Sequence, residues 1–277
     1  MSAPAQDLLP TPQRVSAIRH CASVPRPRPS ATVTDVHLPP LYQDLTYNAP
    51  LSTARARRLA AFLSDHGDGH IVDVGCGWAE LLQTALEMAP RMVGTGIDVD
   101  GDVLAHARAS AAARGLSDRL TLLEGPGAES SPRPVEAVIS IGARHVWGDA
   151  AAALAALRSL VDRGGRVVYG DGIWQRPPTT EAVAQLGGDA AAYGTLADVV
   201  DTAVTAGFRV MDVAEASIEE WDAFESGYSA GYERWLVDHP DHPAADDVRG
   251  RSADHRSAYL RGYRGIWGLI YLQLIAT

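Results

Sequence analysis

Two groups of residues have the types and spacing to do chemistry. The first is Val72-Asp-Val-Gly-Cys-Gly77, followed by Gly96-Ile-Asp98. Gly75 and Gly77 come directly after a short apolar run. Without side chains, they let the backbone turn sharply and approach a ligand at the start of a helix. Asp98 closes the next apolar run, 21 residues after Gly77, where an acid in a doubly wound sheet accepts hydrogen bonds from ribose hydroxyls. A dinucleotide fingerprint wants a third glycine at position 80. Glu80 stands there instead, which would set a negative charge close to a pyrophosphate. The pattern therefore favours a ligand with a ribose, no phosphate and a cationic amino-acid end over NAD or FAD.

The second group lies at the ends of the fourth and fifth apolar runs, in Ser140-Ile-Gly-Ala-Arg-His145-Val-Trp147 and Tyr169-Gly-Asp171-Gly-Ile-Trp174-Gln-Arg176. In an open α/β sheet, ligands bind beyond the carboxyl ends of the strands. The intrinsic pKa of a histidine side chain lies near neutrality, so His145 is a candidate general base. Asp171 is a second candidate, either orienting an acceptor or pairing with Arg144 or Arg176. Trp147 and Trp174 are candidate acceptor contacts. Further along, Trp221, Phe224, Tyr228, Tyr232 and Trp235 recur at helical spacing with Glu225 among them. That stripe reads as packing, or as an acceptor surface in which Glu225, Tyr228 and Tyr232 meet a hydroxyl or amine. His239 and His242 sit in Asp238-His-Pro-Asp-His-Pro243, where the prolines predict a solvated turn and no third ligand completes a metal set.

The elements that must position these residues alternate. Ser52 caps a helix reaching about Ser64, with Ala56, Leu59, Ala60 and Leu63 on its buried face. Strands are predicted at 71–74, 92–97, 120–123, 135–141, 166–169 and 207–214. Helices lie between most of them, at about 79–88, 102–114, 149–161 and 196–206. Gly164-Gly165 is expected to end the helix before the fifth strand. Repeated βα units of this length make a parallel sheet with helices on both faces. A helical stretch at about 217–264 precedes a last buried strand, Gly268–Ile275. The first forty residues contain eight prolines and no clear period, and read as an extended arm.

The 277 residues suffice for one large α/β domain. All 24 basic residues are Arg, against 34 acidic ones, for a formal charge of −10. That balance argues against a general polyphosphate binder. No apolar run reaches the roughly 20 residues of a membrane helix, and the first ten residues lack a signal-peptide pattern. Two cysteines, Cys21 and Cys76, make neither a structural zinc site nor a disulfide framework. A cytoplasmic setting with reduced thiols follows as the expectation.

Ile71-Val-Asp-Val-Gly-Cys-Gly-Trp78, Gly96-Ile-Asp98 and Leu160-Val-Asp-Arg-Gly-Gly-Arg-Val-Val168 resemble the motifs of the class I S-adenosylmethionine-dependent methyltransferases. The resemblance covers about Asn48–Ala214 and the last strand. It implies a Rossmann-like, doubly wound seven-stranded sheet whose reversed last strand inserts between strands five and six. It implies S-adenosylmethionine as cofactor and S-adenosylhomocysteine as product. Asp73 would fix the loop and accept from the methionine ammonium, and Gly75, Cys76 and Gly77 would lie under the methionine. Asp98 would bind the ribose and Val99 would pack on the adenine, with Ile141 bordering the site. The family's acid after strand three is missing from Gly125-Pro-Gly-Ala128-Glu129, so Ala128, Glu129 or a backbone amide takes that place. Ala79 replaces the third motif glycine.

The combined expectation is a Pro-rich arm over 1–47 and a methyltransferase domain over 48–277, with a helical lid at about 217–264. The acceptor is expected to be a small molecule methylated on O or N, with C-methylation open, in specialised metabolism. No nucleic acid, membrane or metal is expected, and a homodimer is compatible. The alternatives are a non-catalytic cofactor-binding protein and an NAD-dependent oxidoreductase.

Overall fold

The computed structural model describes residues 38–127 and 134–277. Seven strands form one sheet: β1 (Asp68–Val74), β2 (Arg91–Asp98), β3 (Leu120–Glu124), β4 (Val135–Ile141), β5 (Val161–Trp174), β6 (Phe208–Glu215) and β7 (Trp267–Ala276). Their order is β3-β2-β1-β4-β5-β7-β6. The first five strands pair in parallel, and β7 runs antiparallel to both β5 and β6. The expected reversed last strand is thus in place. The switch in strand order falls between β1 and β4, where a crevice opens beyond the strand ends.

Helices α1 (Thr53–Ser64), α2 (Glu80–Met88) and α3 (Gly101–Ala113) belong to the first half, and α4 (Ala150–Leu160), α5 (Thr180–Gln185) and α6 (Leu196–Thr205) to the second. Ser52 caps α1 by accepting from the Arg55 N–H, and the four predicted residues Ala56, Leu59, Ala60 and Leu63 are its buried ones. Alternation along the strands divides the core. Ile71, Ile139, Val168 and Leu269 pack with α1 and α2, whereas Val72, Val138, Val167 and Leu272 pack with α4 and α6.

The fifth strand departs from expectation. It begins directly at Val161, the residue after α4, and Gly164 with φ +87° lies inside it rather than ending the helix. The register with β4 shifts between Val135 and Ala137, so the glycine pair forms an irregularity within the strand.

The predicted insertion is two helices, α7 (Ile218–Asp238) and α8 (Ala245–Ser257), followed by a π-helical turn at Ala258–Tyr263. Ser217 and Glu220 form a reciprocal capping box at the start of α7. The expected arm lies outside the described residues as far as residue 37. Its last part is a packed strap, with Leu45 and Tyr47 buried. Leu45 lies against Gly227 of α7, where an added Cβ would come within 2.4 Å of it.

Candidate functional site

The glycine turn is held mainly by backbone groups. The N–H groups of Gly75 and Cys76 both donate to the Ile97 carbonyl, at 2.9 and 3.0 Å. Gly77 N–H donates to Asp98 Oδ2 at 2.8 Å, and Asp100 N–H to Oδ1 at 3.0 Å. Gly75 and Gly77 adopt φ +75° and +53°. A Cβ on Gly75 would come within 2.7 Å of the Ala143 Cβ, so the loop nests against the turn after β4. A Cβ on Gly77 would meet nothing within 4 Å, which marks the open side of the loop. Ala79 is left-handed at φ +56°, a conformation that costs a non-glycine residue about 1–2 kcal/mol. That geometry explains why a glycine is the easier residue there.

Two acids stand behind this turn. Asp73 is buried at the end of β1, and burial, reinforced by the charge of Asp98, raises its carboxyl to about 8. Asp98 is also buried and shifted upward by burial, with hydrogen bonds from the Gly77 and Asp100 amides working the other way. A cation brought to Asp73 would offset the cost of its charge. Gly77 and Asp100 amides engage different Asp98 oxygens, and a carboxylate with about four acceptor sites can still take a ligand hydroxyl. Val99, directly after Asp98, leaves 49% of its surface exposed. Burial pushes the Cys76 thiol well up, so it is a neutral packing group beside Gly96. Ala128 and Glu129 lie outside the described residues.

Glu80 corrects one part of the sequence argument. Its carboxylate accepts from Arg114 Nη2 at 2.7 Å through both oxygens and is tied to the end of α3. Its charge is paired, so it is not a free negative group repelling a pyrophosphate.

The turn after β4 brings Ile141, Gly142, Ala143 and Arg144 beside the loop. Ile141 is half-buried against Gly170, and Gly142 N–H donates to the Gly170 carbonyl at 2.8 Å. His145 is exposed on the short turn Arg144–Val146. Asp171 is buried and already bonded: Tyr169 O–H donates to Oδ2 at 2.8 Å, Gly172 N–H donates to Oδ1 at 2.7 Å, and Arg144 Nε lies 3.5 Å away. Of its two predicted roles, the pairing with Arg144 is the one present. The Arg144 guanidinium also lies 4.1 Å from the Tyr193 ring centre. Trp174 is buried, with its indole N–H donating to the Ala190 carbonyl at 2.8 Å. Trp147 packs on the α4–α6 side of the sheet.

The helical insertion of α7 and α8 divides the aromatic stripe. Trp221 and Phe224 are core residues, and Trp221 meets Tyr263 and Trp267 with ring centres 6.3 and 5.4 Å apart. Tyr232 and Trp235 belong to a separate small cluster with Ala244 and Val248, so Tyr232 is a packing residue there. His239 stacks on Trp235, and its Nδ1 lies 2.9 Å from the Trp235 carbonyl. No metal-binding group occurs among the described residues. Glu225 and Tyr228 are brought together: Tyr263 O–H donates to Glu225 Oε1 at 2.8 Å, and Tyr228 stacks on His255 at 4.3 Å.

Three features escaped the sequence reading. His255 lacks any local motif and becomes visible only through its contact with α7. The strap joins the two halves: Trp78 of the loop donates its indole N–H to the Thr46 carbonyl, and Tyr42 stacks on His106 of α3. Arg55 donates to both oxygens of Glu220 at 2.8–3.2 Å and to the Glu215 carbonyl. Burial alone would raise Glu220, but hydrogen bonds from Arg55, Ser52 and Ser217 hold it at about 2. The capping-box spacing Ser217–Glu220 was a readable signal, but its long-range partner was not. A cavity of about 510 Å³ lies between the strap and the start of α7, bounded by Leu45, Thr46, Tyr47, Arg55, Glu220 and Phe224 among others.

Comparison with known proteins agrees with this geometry. Residues 72–167 match a family described as a methyltransferase domain. The chain is 28% identical to the uncharacterized protein YjhP of Escherichia coli over 209 residues, 74% of this chain and 84% of YjhP. The X-ray structure of YjhP superposes with a TM-score of 0.75, covering 86% of this chain and 98% of that one. A SAM-dependent methyltransferase from Geobacter sulfurreducens, solved with S-adenosyl-L-homocysteine, shares the fold at TM-score 0.77 and 23% identity, covering 86% of this chain and 96% of that one. A methyltransferase named ungE' from Aspergillus campestris is 27% identical over 159 residues, 55% of this chain and 45% of its own.

Proposed function

We propose that this chain, whose core is a methyltransferase domain of the class I fold, transfers the methyl group of S-adenosylmethionine to oxygen or nitrogen of a small-molecule acceptor in specialised metabolism. One observation carries the cofactor assignment. The loop amides of Gly77 and Asp100 clamp Asp98 at the mouth of a turn that is open above Gly77, with exposed Val99 alongside. Those residues fit the ligand: Asp98 for ribose hydroxyls, Val99 for a flat base, and Asp73 for an ammonium.

The bound cofactor supplies an electrophilic methyl group on a sulfonium. The chain's own task is alignment and exclusion of water. Asp73 and Asp98 fix the two ends of the ligand, and the Gly75–Ala143 contact sets how closely the β4 turn approaches. Asp171, with its oxygens taken by Tyr169 and Gly172, positions Arg144 and that turn. The small-molecule reading rests on the acidic balance of the chain and on the cavity between strap and lid. Glu225 and Tyr228 are the lid residues assigned to the acceptor side.

The test is incubation of the protein with trideuteromethyl-labelled S-adenosylmethionine and a small-metabolite extract, read by mass spectrometry. A product heavier by the labelled methyl supports the reading. Label appearing only on protein or nucleic acid overturns the small-molecule assignment.

A further inference from the structure

The strap, residues 38–47, is tied to the glycine loop and to the insertion at once. On the loop side, Trp78 directly follows Gly77, is 4% exposed and donates its indole N–H to the Thr46 carbonyl at 2.7 Å. Tyr42 stacks on His106 of α3 with ring centres 3.8 Å apart, and it meets Trp78 edge-on at 6.1 Å. Asp100 caps α3, and its own amide is held by Asp98. These strap contacts therefore rest on residues that the glycine loop and Asp98 place.

On the insertion side, Asp44 pairs with Arg234 of α7. Leu45 fills the notch at Gly227, where an added Cβ would come within 2.4 Å of Leu45 Cδ2, and Pro39 lies beside Gly231. Glycines inside a helix weaken it, and here they let the strap lie close to the α7 backbone. The cavity is lined both by residues 44–47 of the strap and by Glu219, Glu220 and Phe224 of α7. One short segment thus serves as the support of the loop's Trp78 and as a wall of the cavity.

Resting on the cofactor reading above, we propose that the strap couples the two ligand sites. Cofactor in the glycine loop orders residues 42–47 and, through them, the wall of the cavity, so that cofactor binding raises the affinity of the acceptor there. Trp78 and Gly227 are positioning residues that act at opposite ends of this strap. The physical basis is conformational entropy. A ligand that fixes Asp98 and the loop also fixes Trp78 and the start of α3, and the second ligand no longer has to order the strap against them. Such linkage is reciprocal. Unseating the strap from α7 must then weaken cofactor binding, although Gly227 belongs to the insertion and not to the loop.

The experiment is hydrogen exchange of the full chain read by mass spectrometry, with S-adenosylhomocysteine as the probe, beside calorimetry. In the parent protein the probe should slow exchange at residues 75–79 and 98–103, and also at residues 42–47 and 219–228. Trp78→Phe keeps a ring but loses the indole N–H, so it should retain the first protection and lose the second. Gly227→Ala raises helix propensity while displacing Leu45. It should bind S-adenosylhomocysteine about 5-fold or more weakly, the low end of coupling between sites, with unchanged helix content by circular dichroism. Should Trp78→Phe fail to fold, Gly227→Ala carries the test alone. Protection confined to the loop, a parental response in Trp78→Phe, or parental affinity in Gly227→Ala overturns the coupling and leaves the cofactor reading standing. A parent protein that does not bind S-adenosylhomocysteine at all overturns the cofactor reading, and the coupling falls with it.

Discussion

The glycine loop and the helical insertion of α7 and α8 are made of different materials. Around Gly75–Asp98 the contacts are largely backbone amides and carbonyls, placed by a parallel register that runs unbroken from Asp68–Arg91 to Val74–Ile97. Around α7 and α8 they are side chain to side chain: Glu225 with Tyr263, Asp222 with Arg264, Arg55 with Glu220. Backbone geometry suits a ligand that never changes, because any sequence with the right glycines reproduces it. Side-chain networks suit recognition that differs from protein to protein, since single substitutions rewrite them.

This contrast can be broken first at the Arg55–Glu220 pair. Removing one partner leaves a buried charge unpaired, which costs about 3–5 kcal/mol. Arg55→Ala should therefore give the largest fall in thermal stability, while folded protein at low temperature keeps its cofactor affinity. Glu220 adds a pH signature. Its folded value near 2 lies below its ordinary 4.5, so its contribution is complete above about 4.5 and fades as pH falls toward 2. Melting curves over that range should show the parent losing stability and Glu220→Gln losing less. Equal acid sensitivity would remove Glu220 from the account.

Next come the two loop glycines, which sharpen the contrast because both have positive φ but differ in surroundings. Gly77→Ala carries only the backbone cost, about 1–2 kcal/mol. Gly75→Ala adds a methyl 2.7 Å from the Ala143 Cβ, so it should weaken both stability and cofactor binding more. Denaturant titration and calorimetry should rank Gly75→Ala below Gly77→Ala, and the reverse order contradicts the placement of the loop against β4.

A further effect, confined to the cofactor end, comes from Asp73. With its carboxyl at about 8, it is mostly protonated at neutral pH, and an incoming ammonium favours the charged form. Binding of S-adenosylhomocysteine should release protons near pH 7, and affinity should rise by up to about tenfold per pH unit between 6 and 8. Calorimetry in buffers of different ionisation heat measures the release, and proton uptake would have the wrong sign.

What was legible in the sequence follows the same division. The Gly75-Cys-Gly77 turn and the Asp98 partner were readable because short-range spacing and periodicity specify them; periodicity marked β7 as a buried strand, and its reversal came only from the family resemblance. Ser52 and the buried face of α1 were readable for the same reason. Glu80 was misjudged because its partner Arg114 lies 34 residues away on another helix. The β5 start was misplaced because a glycine pair signals a helix end as readily as a strand irregularity. His255, the strap contact at Thr46 and the Arg55–Glu220 pair depend on tertiary placement across up to 165 residues, and no local pattern carries that.

The central claim is that the glycine loop and Asp98 form a site for an adenosyl amino acid. It is tested most directly by calorimetric titration of the protein with S-adenosylhomocysteine and, in parallel, with NAD. The account predicts saturable one-to-one binding of S-adenosylhomocysteine, weakened by about 1–3 kcal/mol in Asp98→Ala through loss of charge-assisted hydrogen bonds, and no comparable binding of NAD. NAD binding as tightly as S-adenosylhomocysteine, or an Asp98→Ala protein with parental affinity, would contradict it.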